Sequence, residues 1–259
     1  MSEEVVLMEK KDHICTITIN RPDKRNSLTE EVIYNLGAKL KNIEDARVVV
    51  IRGAGEKSFC AGLDLRGGMV VAESEKAHNV PPTDYMREAV KACPCPVIAM
   101  IYGYALGAGC DLATACDIRV ADDNVKMAIN PVKVGGIYWY GGIRNVINIV
   151  GLANAKELFY TGGIIGAQRA KETGLVNHLV PHAEVAAKAY GIARDIAANS
   201  PLAVNGTKSV INILLRKQNV KAEEIAEIKA IREKAHASED YEEGMLAFKE
   251  KRKPVFKGR

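Results

Sequence analysis

The most informative stretch of the chain is GYALGAGCDLA, residues 103–113. The apolar residues 97–101 before it do not alternate with polar ones, which is typical of a buried strand. The small residues 107–109 then allow a tight turn, and helix formers follow at 110–115. A helix N-terminus at such a turn presents backbone N–H groups that bind a phosphate or stabilise a reacting oxyanion. A close-packed corner without a ligand is the alternative interpretation.

Two glycine-containing stretches differ from the known nucleotide-binding motifs. GAGCDL at 107–112 lacks the third glycine of a dinucleotide fingerprint and follows a later strand rather than the first. GAGEKS at 53–58 lacks the four-residue spacer that precedes Gly-Lys in a phosphate-binding loop. The oxyanion is therefore the favoured interpretation of the turn.

Composition excludes several classes of protein. The 259 residues are 47% hydrophobic and 26% charged, which predicts one large domain, or one domain with a small appendage. The net charge of +4 suits a small anionic ligand and is too diffuse for a nucleic-acid partner. No apolar stretch is long enough to span a membrane, and the N-terminus lacks a secretory pattern. We therefore expect a cytoplasmic protein with no nucleic-acid or membrane partner.

The cysteines and histidines predict no metal site. Of the six cysteines, Cys15, Cys60, Cys110 and Cys116 fit buried small hydrophobic residues, and the cysteine usage as a whole fits a reducing compartment. Cys93 and Cys95 form a single pair with interleaved prolines, which favours a rigid turn over a metal or redox site. His178 and His182 are four residues apart, but Pro181 between them disrupts a helical ligand face.

The chain predicts a largely parallel sheet covered by helices, because strand and helix patterns alternate in its first half. Thr29 is a good N-cap for the first helix, over residues 29–43. A surface loop is predicted over 67–83. The predicted strands are residues 14–19, 48–51, 97–101 and 118–121, and the predicted helices of the second half are 154–160, 166–173, 184–199, 201–217 and 222–236.

Six motifs occur in one order along the chain. They are NRPDKRNSL (20–28), SFCAGLDL (58–65), GYALGAGCDLA (103–113), CDIR (116–119), GGIIGAQRA (162–170) and DYEEGMLAFKEKRKP (240–254). Together they resemble the crotonase (enoyl-CoA hydratase/isomerase) superfamily over nearly the whole chain. The resemblance implies an α/β fold with a ββα spiral core that carries an acyl-CoA site, residues 1–200. A helical C-terminal trimerisation region, residues 201–259, would follow.

The same resemblance implies the ligand and the assembly. The substrate is an acyl-CoA thioester, with coenzyme A as part of the substrate and no separate cofactor or metal. The chain would form a homotrimer or a dimer of trimers. The backbone N–H groups of Leu63 and Ala108 would stabilise a thioester enolate, which agrees with the turn chemistry at 107–109.

The resemblance also implies contacts to coenzyme A. The positions that match the family's contact residues are Lys24, Arg25, Ala61, Leu63, Arg66, Phe248 and Lys251. For each lysine and arginine, simple surface solvation is the alternative.

The sequence leaves the reaction open between decarboxylation and hydration. Hydratases of the superfamily hold a water between two glutamates, and this chain has Asp111 and Pro131 at those positions. The segment NPVKVGGIYWYGGIRN (130–145) is more similar to the methylmalonyl-CoA decarboxylase-like branch, where Tyr138 matches a tyrosine near the departing carboxylate. Asn130 and Trp139 would be further walls of that pocket. The branch has histidine, glutamate and threonine where this chain has Leu63, Asp111 and Asn130.

Three functional hypotheses follow. The first is an acyl-CoA lyase that decarboxylates a short 2-carboxyacyl-CoA such as methylmalonyl-CoA, with Leu63, Ala108, Asp111, Tyr138 and Asn130 as the catalytic set. The second is an enoyl-CoA hydratase or isomerase with Asp111 as its sole acid/base, and the third is a catalytically silent CoA-binding protein. Structural roles are open alternatives for two sites: residues 138–140 as an aromatic cluster at a subunit interface, and Asp111 as a helix-dipole partner.

Overall fold

The computed structural model describes residues 4–65, 81–216 and 222–257. Arg66 and most of the predicted loop 67–83 lie outside the described residues. Strands and helices alternate up to residue 128, as the sequence predicts. The strands are β1 (Val6–Lys11), β2 (Ile14–Ile19), β3 (Val48–Gly53), β4 (Ser58–Cys60), β5 (Val97–Ile101), β6 (Tyr104–Leu106), β7 (Ile118–Asp122), β8 (Lys126–Ala128), β9 (Ile165–Gly166) and β10 (His178–Val180).

Nine helices are found in the described part of the chain besides short 3-10 turns. They are α1 (Glu30–Lys41), α2 (Pro82–Ala92), α3 (Ala108–Ala115), α4 (Tyr140–Thr161), α5 (Ala167–Glu172), α6 (Val185–Ala198), α7 (Pro201–Arg216), α8 (Ala222–His236) and α9 (Glu239–Glu250). Thr29 caps α1, because its side-chain oxygen accepts from Val32 N. Helices α2 and α9 have no counterpart among the predicted elements. Helix α4 is interrupted at Gly151, whose φ of +75° is not helical, so the predicted helix 154–160 corresponds to its second part, and its first part was not predicted.

A six-stranded sheet with the order β1-β2-β3-β5-β7-β10 forms the centre of the molecule. Every neighbouring pair is parallel except β1 and β2. All five residues of β5 are buried, because apolar clusters cover both faces of the sheet. The unbroken apolar pattern at 97–101 is thereby explained.

A smaller sheet, β4-β6-β8-β9, lies beside the first, and its strands β4, β6 and β8 are parallel. The pairs β3–β4, β5–β6 and β7–β8 each supply one strand to each sheet, so the chain advances as a spiral of ββα turns. Gly103 joins β5 to β6 with φ +62°, and a Cβ there would lie 2.2 Å from Lys57 O. Only glycine fits this corner. The predicted spiral core is confirmed.

The C-terminal helices are used in two ways. Helix α6 covers one face of the large sheet. Helix α9 packs on the helical turn Pro131–Val134, where a Cβ at Gly244 would lie 2.7 Å from the Val134 carbonyl carbon. The division at residue 200 and the trimerisation role of residues 201–259 stay predictions. No described helix is both long and apolar enough to cross a bilayer.

Candidate active site

The turn before α3 places the first predicted backbone donor. Gly107 adopts φ +52° and ψ −118°, and its N–H donates to Ala128 O at 2.8 Å. Its carbonyl accepts from Tyr138 Oη at 3.0 Å and from Asp111 N at 3.0 Å. The next residue, Ala108, begins the helix, so its N–H has no acceptor one helical turn earlier. Two hydrogen bonds therefore fix the peptide that carries the Ala108 N–H, and a third fixes the peptide before it.

The second predicted donor is the N–H of Leu63, a residue that forms an isolated parallel β-bridge with Leu28. Leu28 N donates to Gly62 O, and Asp64 N donates to Leu28 O, both at 2.8 Å. This parallel bridge does not use the N–H of Leu63, which lies between the two. A Cβ at Gly62 would lie 3.7 Å from Ala108 N, so the two donor segments touch. That both donors share one acceptor stays a prediction.

A cavity of about 340 Å³ opens at these two segments. Of the predicted site residues, it is lined by Ala61, Leu63, Ala108, Asn130, Tyr138 and Phe248, together with Trp139. Its described lining contains Lys133, Arg232 and Arg252 but no aspartate or glutamate. The cavity therefore suits an anionic ligand with a large apolar portion.

Asp111 does not line this cavity. A residue that holds a water against the substrate would have to line it. Its side chain is fully buried, and its Oδ2 lies 2.8 Å from the guanidinium of Arg87, itself fully buried. Arg87 also pairs with Asp84. Burial raises the pKa of Asp111, and the positive charge of Arg87 opposes that shift. Asp111 thus belongs to a buried ion group, defined here as Asp84, Arg87 and Asp111.

Helix α4 begins directly on the buried ion group. A Cβ at Gly141 would lie 2.7 Å from an Arg87 nitrogen, and one at Gly142 would lie 3.1 Å from Asp111 Oδ1. The two glycines therefore allow the helix to approach charges that side chains would displace. Sequence reasoning missed Arg87, because nothing local to the helical segment 82–92 ties it to a carboxylate 24 residues later.

Tyr138 lies between the cavity and Asp111. Its ring packs against Phe159 at 5.7 Å between centroids, and a Cβ at Gly142 would lie 2.8 Å from it. Burial raises the pKa of Tyr138 well above its ordinary value, so its phenol stays protonated at neutral pH. Its one proton is donated to the Gly107 carbonyl, which makes Tyr138 a support of the turn as well as a wall of the cavity.

Asn130 stands beside the same turn. Its Oδ1 would lie 3.2 Å from a Cβ at Gly107, and its side chain does not cap the helical turn that follows. Asn130 is therefore next to the turn that carries the Ala108 N–H, and its role as a site residue stays a prediction.

The lysines and arginines predicted to contact coenzyme A do not line the cavity where the structure describes them. Lys24 and Arg25 are exposed and are not lining residues of the cavity. The guanidinium of Arg25 lies over the Tyr104 ring at 5.9 Å from its centroid. Lys251 ends α9 in a left-handed conformation and also lies off the cavity lining. Coenzyme A contacts by these three residues stay predictions, and Arg66 lies outside the described residues.

Two arginines that line the cavity were missed by the sequence analysis. Arg232 on α8 is 4% exposed, donates to Ile137 O and lies 5.1 Å from the Trp139 ring centroid. Arg252, which follows α9, pairs with Glu243 and Glu250 at 2.6 Å each. Arg232 lies in no quoted motif, and Arg252 lies in the motif 240–254, from which only Phe248 and Lys251 were assigned as contacts.

Comparison with known proteins identifies a family. The enoyl-CoA hydratase/isomerase family model matches residues 9–259. The short-chain-enoyl-CoA hydratase of Clostridium acetobutylicum is 34% identical, over 96% of this chain and 95% of that protein. The (E)-benzylidenesuccinyl-CoA hydratase of Thauera aromatica is also 34% identical, over 98% of this chain and 99% of that protein. A crystal structure of methylmalonyl-CoA decarboxylase superimposes with a TM-score of 0.91 at 29% identity, covering 100% of both chains.

Proposed function

The chain belongs to the enoyl-CoA hydratase/isomerase family, an acyl-CoA enzyme family of the crotonase superfamily, and we propose that it decarboxylates a short 2-carboxyacyl-CoA such as methylmalonyl-CoA. One observation carries the proposal. The cavity is lined by Leu63 and Ala108, whose backbone N–H groups are the proposed donors, while no described lining residue is a carboxylate. Hydration requires a group that activates water and a group that delivers a proton, whereas loss of CO₂ requires neither.

The proposed reaction moves charge towards the backbone donors. The bond between the α-carbon and its carboxylate breaks, CO₂ leaves, and the electron pair enters the thioester to give an enolate. The N–H groups of Leu63 and Ala108 stabilise the enolate oxygen. Such a donor is worth about 3–4 kcal/mol in a transition state. A proton from solvent then adds to the α-carbon and completes the acyl-CoA product.

The pocket must hold the breaking bond perpendicular to the thioester plane. Asn130, Tyr138 and Trp139 supply polar and apolar walls beside the turn at Gly107. A substrate carboxylate that bonds to the Tyr138 hydroxyl must replace Gly107 O as its acceptor. Fixed walls of this kind favour the reactive orientation without acid–base chemistry. Ala61 and Phe248 line the same cavity and would contact coenzyme A, which is part of the substrate rather than a separate cofactor.

Hydration or isomerisation of an enoyl-CoA is the second candidate. The names of the curated relatives favour it, since both relatives reported above are hydratases. It would use Asp111 as sole acid/base, and that carboxylate must then leave Arg87 and reach the cavity past Tyr138. Pro131, at the position of the second hydratase glutamate, lines the cavity and has no proton to transfer.

We also propose assembly into a homotrimer or a dimer of trimers in the cytoplasm. The support is the exposed apolar side of α7, where several large side chains are more than 40% exposed: Leu202, Val210, Ile211, Ile213, Leu214 and Leu215. Such a surface is typical of a subunit contact. The six cysteines are unbridged, which supports a reducing compartment. Light scattering that gives a monomer at micromolar concentration would contradict the assembly.

A turnover screen tests the reaction. Purified protein is incubated with malonyl-, methylmalonyl- and crotonyl-CoA while CO₂ release and loss of the enoyl chromophore are followed. We expect CO₂ from a 2-carboxyacyl-CoA, and Asp111→Asn should affect this reaction much less than any hydration. Crotonyl-CoA hydration that Asp111→Asn abolishes would establish the second candidate instead. Binding of all three thioesters without turnover would reject both.

A further inference from the structure

Arg232 is the most deeply buried of the lysines and arginines that line the cavity. It is 4% exposed, although it belongs to a helix near the C-terminus whose neighbouring residues are largely exposed. Its guanidinium donates to the Ile137 carbonyl and lies over the Trp139 ring at 5.1 Å from the centroid. These two contacts hold the positive charge against the segment 137–139, at the wall that contains Tyr138.

This wall belongs to the reactive end of the cavity. The Tyr138 hydroxyl is 3.0 Å from Gly107 O, and Gly107 directly precedes Ala108, the proposed enolate donor. Arg232 contacts Ile137 and Trp139, and Tyr138 between them bonds to Gly107, the residue before Ala108. A short run of contacts thus leads from the guanidinium to the proposed donor. A thioester held at Ala108 would direct its acyl group, rather than the phosphates of coenzyme A, towards that run.

The charge balance of the lining indicates what Arg232 binds. No described residue that lines the cavity is an aspartate or glutamate, so a ligand carboxylate meets no like charge there. A guanidinium presents five N–H donors in a planar fork that matches the two oxygens of a carboxylate. We infer that Arg232 binds a carboxylate on the acyl group and thereby selects acyl-CoA thioesters that carry one over neutral acyl-CoA thioesters. The identity of that carboxylate as the one lost in the reaction rests on the proposed function.

The inference has a kinetic consequence. When the carboxylate leaves as neutral CO₂, its negative charge moves to the thioester oxygen and away from Arg232. The contact between Arg232 and the carboxylate is therefore made in the bound substrate and is lost in the product. Removal of the guanidinium should raise KM for a carboxyacyl-CoA while kcat is held or increased. A purely structural residue would lower the amount of active protein instead.

The test compares two unreactive ligands that differ only in the carboxylate. The thioethers 2-carboxypropyl-CoA and propyl-CoA lack the thioester carbonyl, so neither can be decarboxylated. Calorimetric titration of the wild-type protein should give at least about tenfold tighter binding of the carboxylate-bearing thioether, as expected for a hydrogen-bonded charge pair. Arg232→Gln should bring the ratio of the two dissociation constants close to one. Arg232→Lys, which keeps the charge without the fork, should retain part of the ratio.

A matched arginine provides the control. Arg169 is exposed, pairs with Glu157 and lies away from the cavity lining, so Arg169→Gln should leave both dissociation constants unchanged. An unchanged ratio in Arg232→Gln would overturn the inference. Equal weakening of both thioethers would also overturn it, because Arg232 would then bind the coenzyme A portion. If Arg232→Gln does not fold, Arg232→Lys is used instead. A ratio of dissociation constants in Arg232→Lys as large as in the wild type would overturn the inference.

The same experiment separates the inference from the proposed function. If the binding ratio depends on Arg232 but methylmalonyl-CoA releases no CO₂, the carboxylate site stands and the decarboxylase proposal fails. If CO₂ is released while the ratio of the two dissociation constants is the same with and without Arg232, the proposed function stands and the carboxylate site fails.

Discussion

The two ends of the chain build the cavity in different ways. The N-terminal wall, defined as residues 61–63 and 107–108, contains the two proposed backbone donors, one on a strand-like bridge and one at the tight turn before helix α3. The C-terminal wall, defined as the lining residues of α8, α9 and the segment after α9, presents side chains. Backbone donors serve any acyl-CoA thioester equally, because every thioester has the same oxygen. Side chains can distinguish one acyl group from another, so we assign shared chemistry to the first wall and selection to the second.

The buried ion group below the N-terminal wall gives the largest expected effect. Arg87→Met leaves Asp111 buried without its positive partner and should reduce the free energy of unfolding by about 3–5 kcal/mol. Urea unfolding measures the change. Arg87→Met combined with Asp111→Leu should recover part of the loss, since position 111 then carries no buried charge and only Asp84, which keeps some contact with solvent, is left without its arginine.

An exposed pair supplies the control for this prediction. Arg169 and Glu157 are 46% and 61% exposed, so Arg169→Met should cost no more than about 1 kcal/mol. Equal losses in Arg87→Met and Arg169→Met would mean that the buried ion group does not support the N-terminal wall.

A methyl group added at Gly109, next to the N-terminal wall, should destabilise the protein nearly as much as Arg87→Met. A Cβ at Gly109 would lie 2.2 Å from the carbonyl oxygen of Cys60, a backbone atom that cannot easily move. Gly109→Ala should therefore cost about 3 kcal/mol of unfolding free energy and abolish turnover, because α3 must shift with Ala108. Gly206→Ala is the matched control: α7 leaves open space there, and alanine should stabilise the helix by about 0.5–1 kcal/mol. Full activity in Gly109→Ala would show that the donor geometry tolerates displacement.

Tyr138 supports the N-terminal wall through Gly107 O and lies between Ile137 and Trp139, which Arg232 contacts. Tyr138→Phe removes the hydrogen bond to Gly107 O and should cost about 0.5–1.5 kcal/mol of unfolding free energy. If the phenol also orients a substrate carboxylate, kcat/KM should fall by about 1.5–3 kcal/mol of transition-state stabilisation. Steady-state kinetics and urea unfolding of the same variant separate the two roles. A rate loss no larger than the stability loss would limit Tyr138 to supporting the turn.

The two walls also differ in how far the sequence predicts them. Ala108 follows from local patterns, an apolar strand and a run of small residues. Leu63 was assigned only through the resemblance of the motif at 58–65 to the family, because no local pattern marks it. Arg87 reaches Asp111 only because α2 and α3 pack together, and a single arginine in a helix has no such signature. Arg232 contacts Ile137 across 95 residues. Contacts of this kind depend on tertiary packing, so the sequence analysis assigned Asp111 to the cavity and overlooked the arginines.

The smallest expected effect is on the pH dependence of stability and comes from His182, which lies outside the cavity lining and supports the corner at Gly103. His182 Nδ1 lies 2.9 Å from Asp122 Oδ2, and Asp122 accepts from Gly103 N at the corner that leads to β6. The other ring nitrogen of His182 lies 3.2 Å from Glu56. Hydrogen bonds to Asp122 and then to Glu56 raise the pKa of His182 above 6.5. The protonated histidine is thus favoured in the folded protein, and the resulting stability is complete below pH 6.5 and declines as the pH rises through the raised pKa.

Unfolding midpoints between pH 5 and 9 should therefore decline less with pH in His182→Gln than in the wild type. His178 provides a control of opposite sign, because burial lowers its pKa below 6.5. Its contribution is present above pH 6.5 and declines as the pH falls through the lowered value, so His178→Gln should remove a slope in the other direction. Identical pH profiles for wild type and His182→Gln would show that the contacts of His182 with Asp122 and Glu56 add nothing to the stability of this corner. The rigidity of the N-terminal wall would then come from the sheet alone.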